Sequence, residues 1–306
     1  YYAVFKNAPN ANFPFTEFGF SFFIPAFSDR AILGKLILPG FGGGYLVWGI
    51  SMVFYQGVLL LGYFHLHALR LRWRFEYCKR CQTAVLLLSL FCLPLRADRL
   101  LNPDYRFSPV IEIVYLLAIT IGLLFFILAG LSIYIQLHLA SSNLPEKENP
   151  YILYSASNLG AFAALLAYPF LIEPYFDVST QLLQWEAGYV VLTLLYLTAL
   201  RAVPTDKTAE GAGENVIWPE GGKILQWILL SAAPSALFLA VTNFITFDIA
   251  PVPLLWIPPL AIYLLTLVLS FKRQPYCPQW IQSRFYLAVY AGIFLYLFKI
   301  SGYSVY

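Results

Sequence analysis

Acidic side chains near the ends of long apolar segments are the residues of this sequence best suited to chemistry. Glu112, Glu186 and Asp248 each occupy such a position, and the distribution of basic residues places all three in the same half of a membrane. A carboxylate in lipid costs about 2.5–3.5 kcal/mol on insertion scales, so it needs a cation, a hydrogen-bond donor or a wet cavity. These three residues are therefore candidate cation-binding groups.

A second polar set lies within one apolar segment. Ser155, Ser157, Asn158 and Gly160 give this segment a face of small and hydrogen-bonding side chains. Such a face suits the close approach of two membrane helices, and it could also line a ligand site. We adopt the packing interpretation for Ser157, Asn158 and Gly160.

The histidines and cysteines offer weaker patterns. His65 and His67 lie two residues apart, so only one of them could face His138, and a two-histidine haem site is conceivable but poorly supported. Cys78 and Cys81 form a Cys-x-x-Cys pair without the second pair that zinc ligation needs. We expect no metal site, no identified cofactor, and reduced thiols that face the cytoplasm.

Composition and motifs exclude several function classes. Hydrophobic residues make up 60% of the 306 residues and charged residues 11%, a balance typical of a membrane protein. The net charge of +3 is too small to indicate nucleic-acid binding. The glycines of residues 41–44 follow Pro39 and lead into an apolar segment, so they lack the strand-turn-helix setting of a nucleotide loop. We find no catalytic motif.

The elements that must position these side chains are transmembrane helices. A helix needs about 20 apolar residues to cross the bilayer. Nine segments approach this length: 14–28, 44–68, 81–95, 109–139, 151–173, 178–200, 224–248, 252–271 and 283–300. The first and third are the weakest, because each is short and contains or ends at a proline. The sequence predicts an all-α, polytopic transmembrane helix bundle of about eight to ten spans.

The basic residues predict the orientation. With the loop at 70–80 in the cytoplasm, thirteen of the nineteen lysines and arginines fall on the cytoplasmic side. The amino end is then cytoplasmic, as are 146–149 and 201–222. The last range is rich in charge, Pro and Gly, so we interpret it as a polar linker between a first bundle, 1–200, and a second bundle, 223–306. The second bundle is expected to continue beyond Tyr306.

Three stretches together resemble a known family. Residues 32–69, 150–189 and 234–273 are similar to the membrane region of bacterial spermidine-synthase-like proteins, in which this region is often fused to an aminopropyltransferase-like domain. The resemblance implies an integral protein of the bacterial inner membrane. It does not extend to the cofactor loop or the acidic catalytic residues of that enzyme, and Gly40 stands where similar proteins often carry Trp.

The sequence leaves three functions open. The first is a non-catalytic accessory or structural subunit of a larger membrane complex, with the bilayer and other membrane subunits as its partners. The second is a transporter or binding bundle for a small cation such as a polyamine, held by Glu112, Glu186 and Asp248. The third is a membrane anchor for an aminopropyltransferase-like domain that this sequence does not contain.

Overall fold

The architecture was determined from a computed structural model. The structure describes residues 32–42, 45–95, 100, 103, 105, 107–202, 220–244, 257–272, 276, 278–281, 283–284, 286–287, 290 and 294. Across these residues the chain forms helices and contains no β-strand, which confirms the predicted all-α membrane bundle.

Eight helices of ten or more consecutive residues make up most of the described part of the bundle. They are α1 (Ile32–Phe41), α2 (Tyr45–Arg72), α3 (Phe75–Ser89), α4 (Pro109–Ala140), α5 (Ile152–Ile172), α6 (Val178–Ala202), α7 (Gly221–Phe244) and α8 (Ile257–Phe271). Five of them, α2, α4, α5, α6 and α7, are long and apolar enough to cross a bilayer. Helices α4 and α5 each include a π-helical turn, at Ala118–Gly122 and Tyr168–Ile172.

Two of the predicted spans lie wholly or mostly in parts of the chain that the structure does not describe. The predicted span 14–28 lies outside the described residues, as does most of 283–300. Residues 39–41 complete the short helix α1, which is not among the predicted spans. Gly42 ends this helix because it adopts a φ of 79° while its N–H still bonds Leu38 O at 2.8 Å, the arrangement of a left-handed glycine cap.

The predicted bounds 81–95 of the third span are wrong. Helix α3 has 15 residues and begins at Phe75, six residues before the predicted start. At 1.5 Å per residue it reaches about 22 Å, less than the bilayer core of about 30 Å. Its charged first turns were excluded by the hydropathy pattern, although such side chains can extend to the headgroup region.

Helix α4 is the centre of the bundle, and most of its side chains are buried. Helix α2 packs along it in parallel, because contacts advance in the same direction on both helices. Tyr55 packs edge-on against Phe125 with ring centres 5.0 Å apart, and Gly62 meets Ala129 further along. Two parallel neighbours require the chain between them to return across the bundle. Helix α3, which lies between them in the sequence, is the described part of that return.

Helices α5 and α8 form a second layer of contacts. Ala161 and Leu165 of α5 pack against Leu264 of α8. Pro258 and Pro259 lie in the first turn of α8, where a missing N–H costs no helical hydrogen bond. Helix α8 therefore joins the helices of the first half of the chain, across the predicted linker.

Candidate functional site

Glu186 faces a hydrogen-bond donor. It lies on α6, half-buried, and its Oε1 accepts the backbone N–H of Leu95 at 2.8 Å. Leu95 belongs to the α3–α4 loop, our name for the described residues 93–95, 100, 103, 105 and 107–108 that connect the two helices. The carboxylate expected to need a partner inside the membrane thus binds the backbone at the start of this loop.

Glu112 likewise accepts a backbone N–H group, at the other end of the loop. It lies in the first turn of α4, its side chain is only 2% exposed, and its Oε2 accepts the N–H of Phe107 at 3.2 Å. A carboxylate is also stabilised there by the positive end of the helix dipole. Asp248 lies outside the described residues. Among those residues no hydrogen bond or ion pair joins Glu112 to Glu186.

The middle of the α3–α4 loop rests on the end of α1. The hydroxyl of Tyr105 donates to the carbonyl oxygen of Gly40 at 2.7 Å, and its ring lies 5.8 Å from that of Phe41. A Cβ added to Gly40 would lie 2.9 Å from Pro103 Cγ. Glycine is therefore needed at position 40 for this close approach. The loop is held at three points.

An ion pair lies at the same end of the bundle. Lys35 of α1 contacts Glu173, just after α5, with Nζ and Oε1 2.6 Å apart, and its ammonium group lies 5.2 Å from the centre of the Tyr168 ring. The hydroxyl of Tyr168 in turn donates to Gln181 Oε1 at 3.0 Å. Glu173, whose side chain is 45% exposed, thus links α1 to the end of α5.

The small polar face of α5 is used in two ways. Ser157, Asn158 and Gly160 are all buried, but Ser157 and Asn158 donate to Tyr154 O of their own helix, at 2.9 and 2.7 Å. Ser155 makes the bond between helices, donating to Val268 O of α8 at 3.0 Å. The face contacts a neighbouring helix through Ser155.

His65 and His138 do not meet. His65 packs against Phe126, with ring centres 5.2 Å apart, whereas His138 lies twelve residues, about 18 Å, further along α4. His138 is fully buried and stacks on Phe75 at 6.0 Å and on Tyr134 at 6.1 Å. The structure therefore does not form a paired histidine site from His65 and His138. Within the described ranges no three metal-ligating side chains cluster.

Both thiols of the Cys-x-x-Cys pair are free, and that of Cys78 is buried. Cys78 is 1% exposed, and its Sγ lies 3.6 Å from Leu69 O and 3.7 Å from Trp73 O. Cys81 is half-buried and also reduced. Cys78 thus fastens the start of α3 to the end of α2.

Sequence reasoning missed the polar contacts between α3 and α6. Ser89 and Tyr189 share a hydrogen bond of 2.6 Å, and Thr83 and Tyr196 share one of 3.2 Å. The later residue of α3, Ser89, pairs with the earlier residue of α6, Tyr189, so the two helices are antiparallel. The seven-residue spacing of Tyr189 and Tyr196, which places them on one face, was the signal available.

The close crossing of α2 and α4 was also missed. A Cβ added to Gly62 would lie 2.6 Å from Ala129 Cβ and 2.9 Å from Phe126 O. Only glycine permits this separation of the two backbones.

Comparison of the chain with models of protein families, with curated proteins and with solved structures finds no match. The polar side chains described above bind backbone groups and neighbouring helices. Their chemistry is that of a bundle whose loops and crossings are fastened by hydrogen bonds.

Proposed function

We propose that this chain is a non-catalytic membrane subunit whose helices pack against other membrane proteins in a larger assembly. The observation that carries the proposal is the exposure of the apolar helix α7. Its apolar window has no buried residue, and it is hydrophobic on all sides. Within the described residues it contacts α8 through Phe238, which stacks on Tyr263 at 5.4 Å.

The middle of α7 is well shaped for another helix. Ser231, Ala232, Ala233 and Ala236 lie around Pro234, and all are exposed, while the Ser235 hydroxyl lies 3.5 Å from the Tyr263 hydroxyl of α8. Small side chains offer lipid little contact area, whereas they let a second helix approach closely. The hydroxyl of Ser231 is bonded to Trp227 O at 2.8 Å, so its polar group is already satisfied inside the membrane.

The use of the carboxylates further supports a packing role. Glu112 and Glu186 hold the two ends of one loop through backbone N–H groups. A cation site would instead direct both carboxylates at one ligand, as in the polyamine-transporter alternative. The proposal places the protein in a bacterial inner membrane with its amino end in the cytoplasm, supported by the excess of basic residues at 70–80.

Site-specific photo-crosslinking in native membranes tests the proposal. A photoreactive residue at Leu229 of α7 should give a discrete protein adduct. The same residue at Leu183 of α6 is the matched control, because the two leucines are 60% and 65% exposed. Lipid adducts alone from both positions would contradict a partner on α7.

A further inference from the structure

The junction of α2 and α3 carries a concentrated positive charge. Between residues 70 and 80 five basic side chains accompany one acidic side chain, Glu76, which leaves five minus one, a net charge of +4. We call this surface the basic corner; its basic residues are Arg70, Arg72, Arg74, Lys79 and Arg80.

The backbone beneath the basic corner is firmly held. Only Trp73 and Arg74 separate the two helices. Phe75 is 4% exposed and stacks on Tyr134 at 5.7 Å, while the Cys78 thiol contacts the last carbonyl groups of α2. The charges are therefore displayed from a defined turn.

The cations of the basic corner are largely uncompensated. Arg72, Arg74 and Arg80 are exposed, and Lys79 is half-buried. Across the described ranges none of these four side chains makes an ion pair. Arg70 lies 5.6 Å from the centre of the Phe75 ring, so its guanidinium also has no acidic partner there. The corner thus has charge to offer an anion.

The depth of the basic corner identifies the anion. It follows directly on α2, a 28-residue helix long and apolar enough to span the bilayer. Trp73 and Tyr77, 49% and 54% exposed, lie in the same turn with ring centres 5.8 Å apart. Exposed Trp and Tyr at the end of a span mark the level of the headgroups. Lipid phosphates lie at that level.

We propose that the basic corner binds the headgroups of anionic phospholipids. The arginines supply planar donors that match phosphate oxygens, Lys79 adds a point charge, and Trp73 and Tyr77 pack beside the glycerol region. The first turn of α3 contributes further, because its N-cap residue Arg74 makes no side-chain hydrogen bond to the N–H groups of that turn. This binding is independent of the proposed packing function.

The test uses the full chain, purified in detergent and stripped of lipid. Binding of phosphatidylglycerol and phosphatidylcholine is measured by native mass spectrometry. A basic residue near an anionic surface contributes about fivefold in affinity. The wild type should therefore prefer phosphatidylglycerol by at least about tenfold, and the variant Arg72→Gln/Arg74→Gln/Lys79→Gln/Arg80→Gln should lose most of this preference.

The matched control removes four cations elsewhere. The variant Lys147→Gln/Arg201→Gln/Lys223→Gln/Lys272→Gln has the same net charge and should keep the preference of the wild type. Equal preference in wild type and corner variant, or equal loss in both variants, would overturn the proposal. So would full displacement of the lipid by inorganic phosphate, which would indicate a soluble ligand. Loss of a co-eluting acidic protein with lipid binding unchanged would assign the corner to that protein instead.

A measurement on the wild type covers the case in which the corner variant does not fold. Raising the salt from about 50 to about 500 mM shortens the screening length severalfold, so the preference for phosphatidylglycerol should fall. A preference that does not respond to salt would exclude binding through these cations. The variant Arg72→Lys/Arg74→Lys/Arg80→Lys keeps the charge and loses the planar donors, so its preference should lie between those of the wild type and the corner variant.

Discussion

A carboxylate can be kept inside a membrane protein by backbone donors as well as by cations. Glu112 and Glu186 each accept an N–H group of the α3–α4 loop, and that group would otherwise need a partner at a depth where water is scarce. Each hydrogen bond thus pairs a carboxylate acceptor with a backbone N–H donor of the loop. Hydrogen bonds to charged groups contribute about 1.5–3 kcal/mol, enough to matter for one loop.

Substitutions of Glu186 distinguish a role in holding the α3–α4 loop from a role in binding a cation. Glu186→Ala should lower the free energy of unfolding by about 1–3 kcal/mol, because it leaves the Leu95 N–H without its acceptor. Glu186→Gln keeps an acceptor oxygen and should cost much less. Thermal unfolding in detergent measures both variants.

Calorimetry with spermidine addresses the transporter alternative. We expect no saturable heat at millimolar spermidine from wild type or from Glu186→Gln. Saturable binding by the wild type that Glu186→Gln abolishes would favour the cation-binding function instead.

Asp177 makes stability depend on pH at the start of α6. The Thr180 hydroxyl and the N–H groups of Thr180 and Ser179 bond its carboxylate, and they lower its pKa below the usual value. The folded state therefore favours the ionised form, and this stabilisation is present above about pH 4 and is lost as the pH falls further. Asp177→Ala should lower the melting temperature at pH 7, and the difference from wild type should shrink below about pH 4.

Asp177→Asn is the control for charge. The Asn side chain still caps a helix but does not titrate in this range, so its melting temperature should approach that of the wild type as the pH falls. A difference between wild type and Asp177→Ala that stays constant down to pH 3 would rule out the carboxylate as its source.

At the scale of elements, the crossing of α2 and α4 depends on one glycine. Gly62→Ala should reduce the free energy of unfolding by about 1–3 kcal/mol, because the added Cβ would overlap Ala129 Cβ. Gly57→Ala on the same helix has open space around the new Cβ and should be neutral or slightly stabilising. Equal effects of the two substitutions on thermal unfolding would mean that the close crossing does not exist.

Some elements could be predicted closely from the sequence, for physical reasons. Helices α4, α5 and α6 were predicted to within one or two residues, because prolines and polar residues bound long apolar runs. Helix α1 was missed because it has only ten residues, including Pro39 and Gly40. Helix α3 was misplaced because its first turns, Phe75–Arg80, are charged. A hydropathy pattern detects long apolar segments, whereas α1 is short and α3 begins with charged residues.

The contacts within the bundle were harder to predict. Glu186 was expected to need a partner, but that partner is a backbone N–H 91 residues away, and every residue except proline has one. Nothing local distinguishes Gly62, which lies at a crossing, from Gly57, which does not. Which glycine permits contact depends on the register between helices, and that register results from the packing of the whole bundle.

At the scale of the whole molecule, the polar contacts group at the ends of the helix bundle. Lys35 meets Glu173, Tyr105 meets Gly40 and Leu95 meets Glu186, and we place these contacts at one end of the bundle. The basic corner follows the end of α2, at Arg72. The side of the membrane on which each set lies is a prediction from the basic residues.

Cysteine labelling across α5 tests both the crossing and the orientation. Lys147→Cys and Tyr175→Cys, each introduced with the four native cysteines replaced by serine, flank Ile152–Ile172, and Lys147 and Tyr175 are exposed. With the basic corner in the cytoplasm, an impermeant thiol reagent added outside intact cells should label Cys at 175 and not at 147. Permeabilised cells should label both. The reverse pattern would invert the orientation while keeping the crossing, because a 21-residue apolar helix still separates the two positions. Labelling of both positions in intact cells would instead show that α5 does not span the membrane, and the side assigned to the α3–α4 loop and to the basic corner would then be wrong as well.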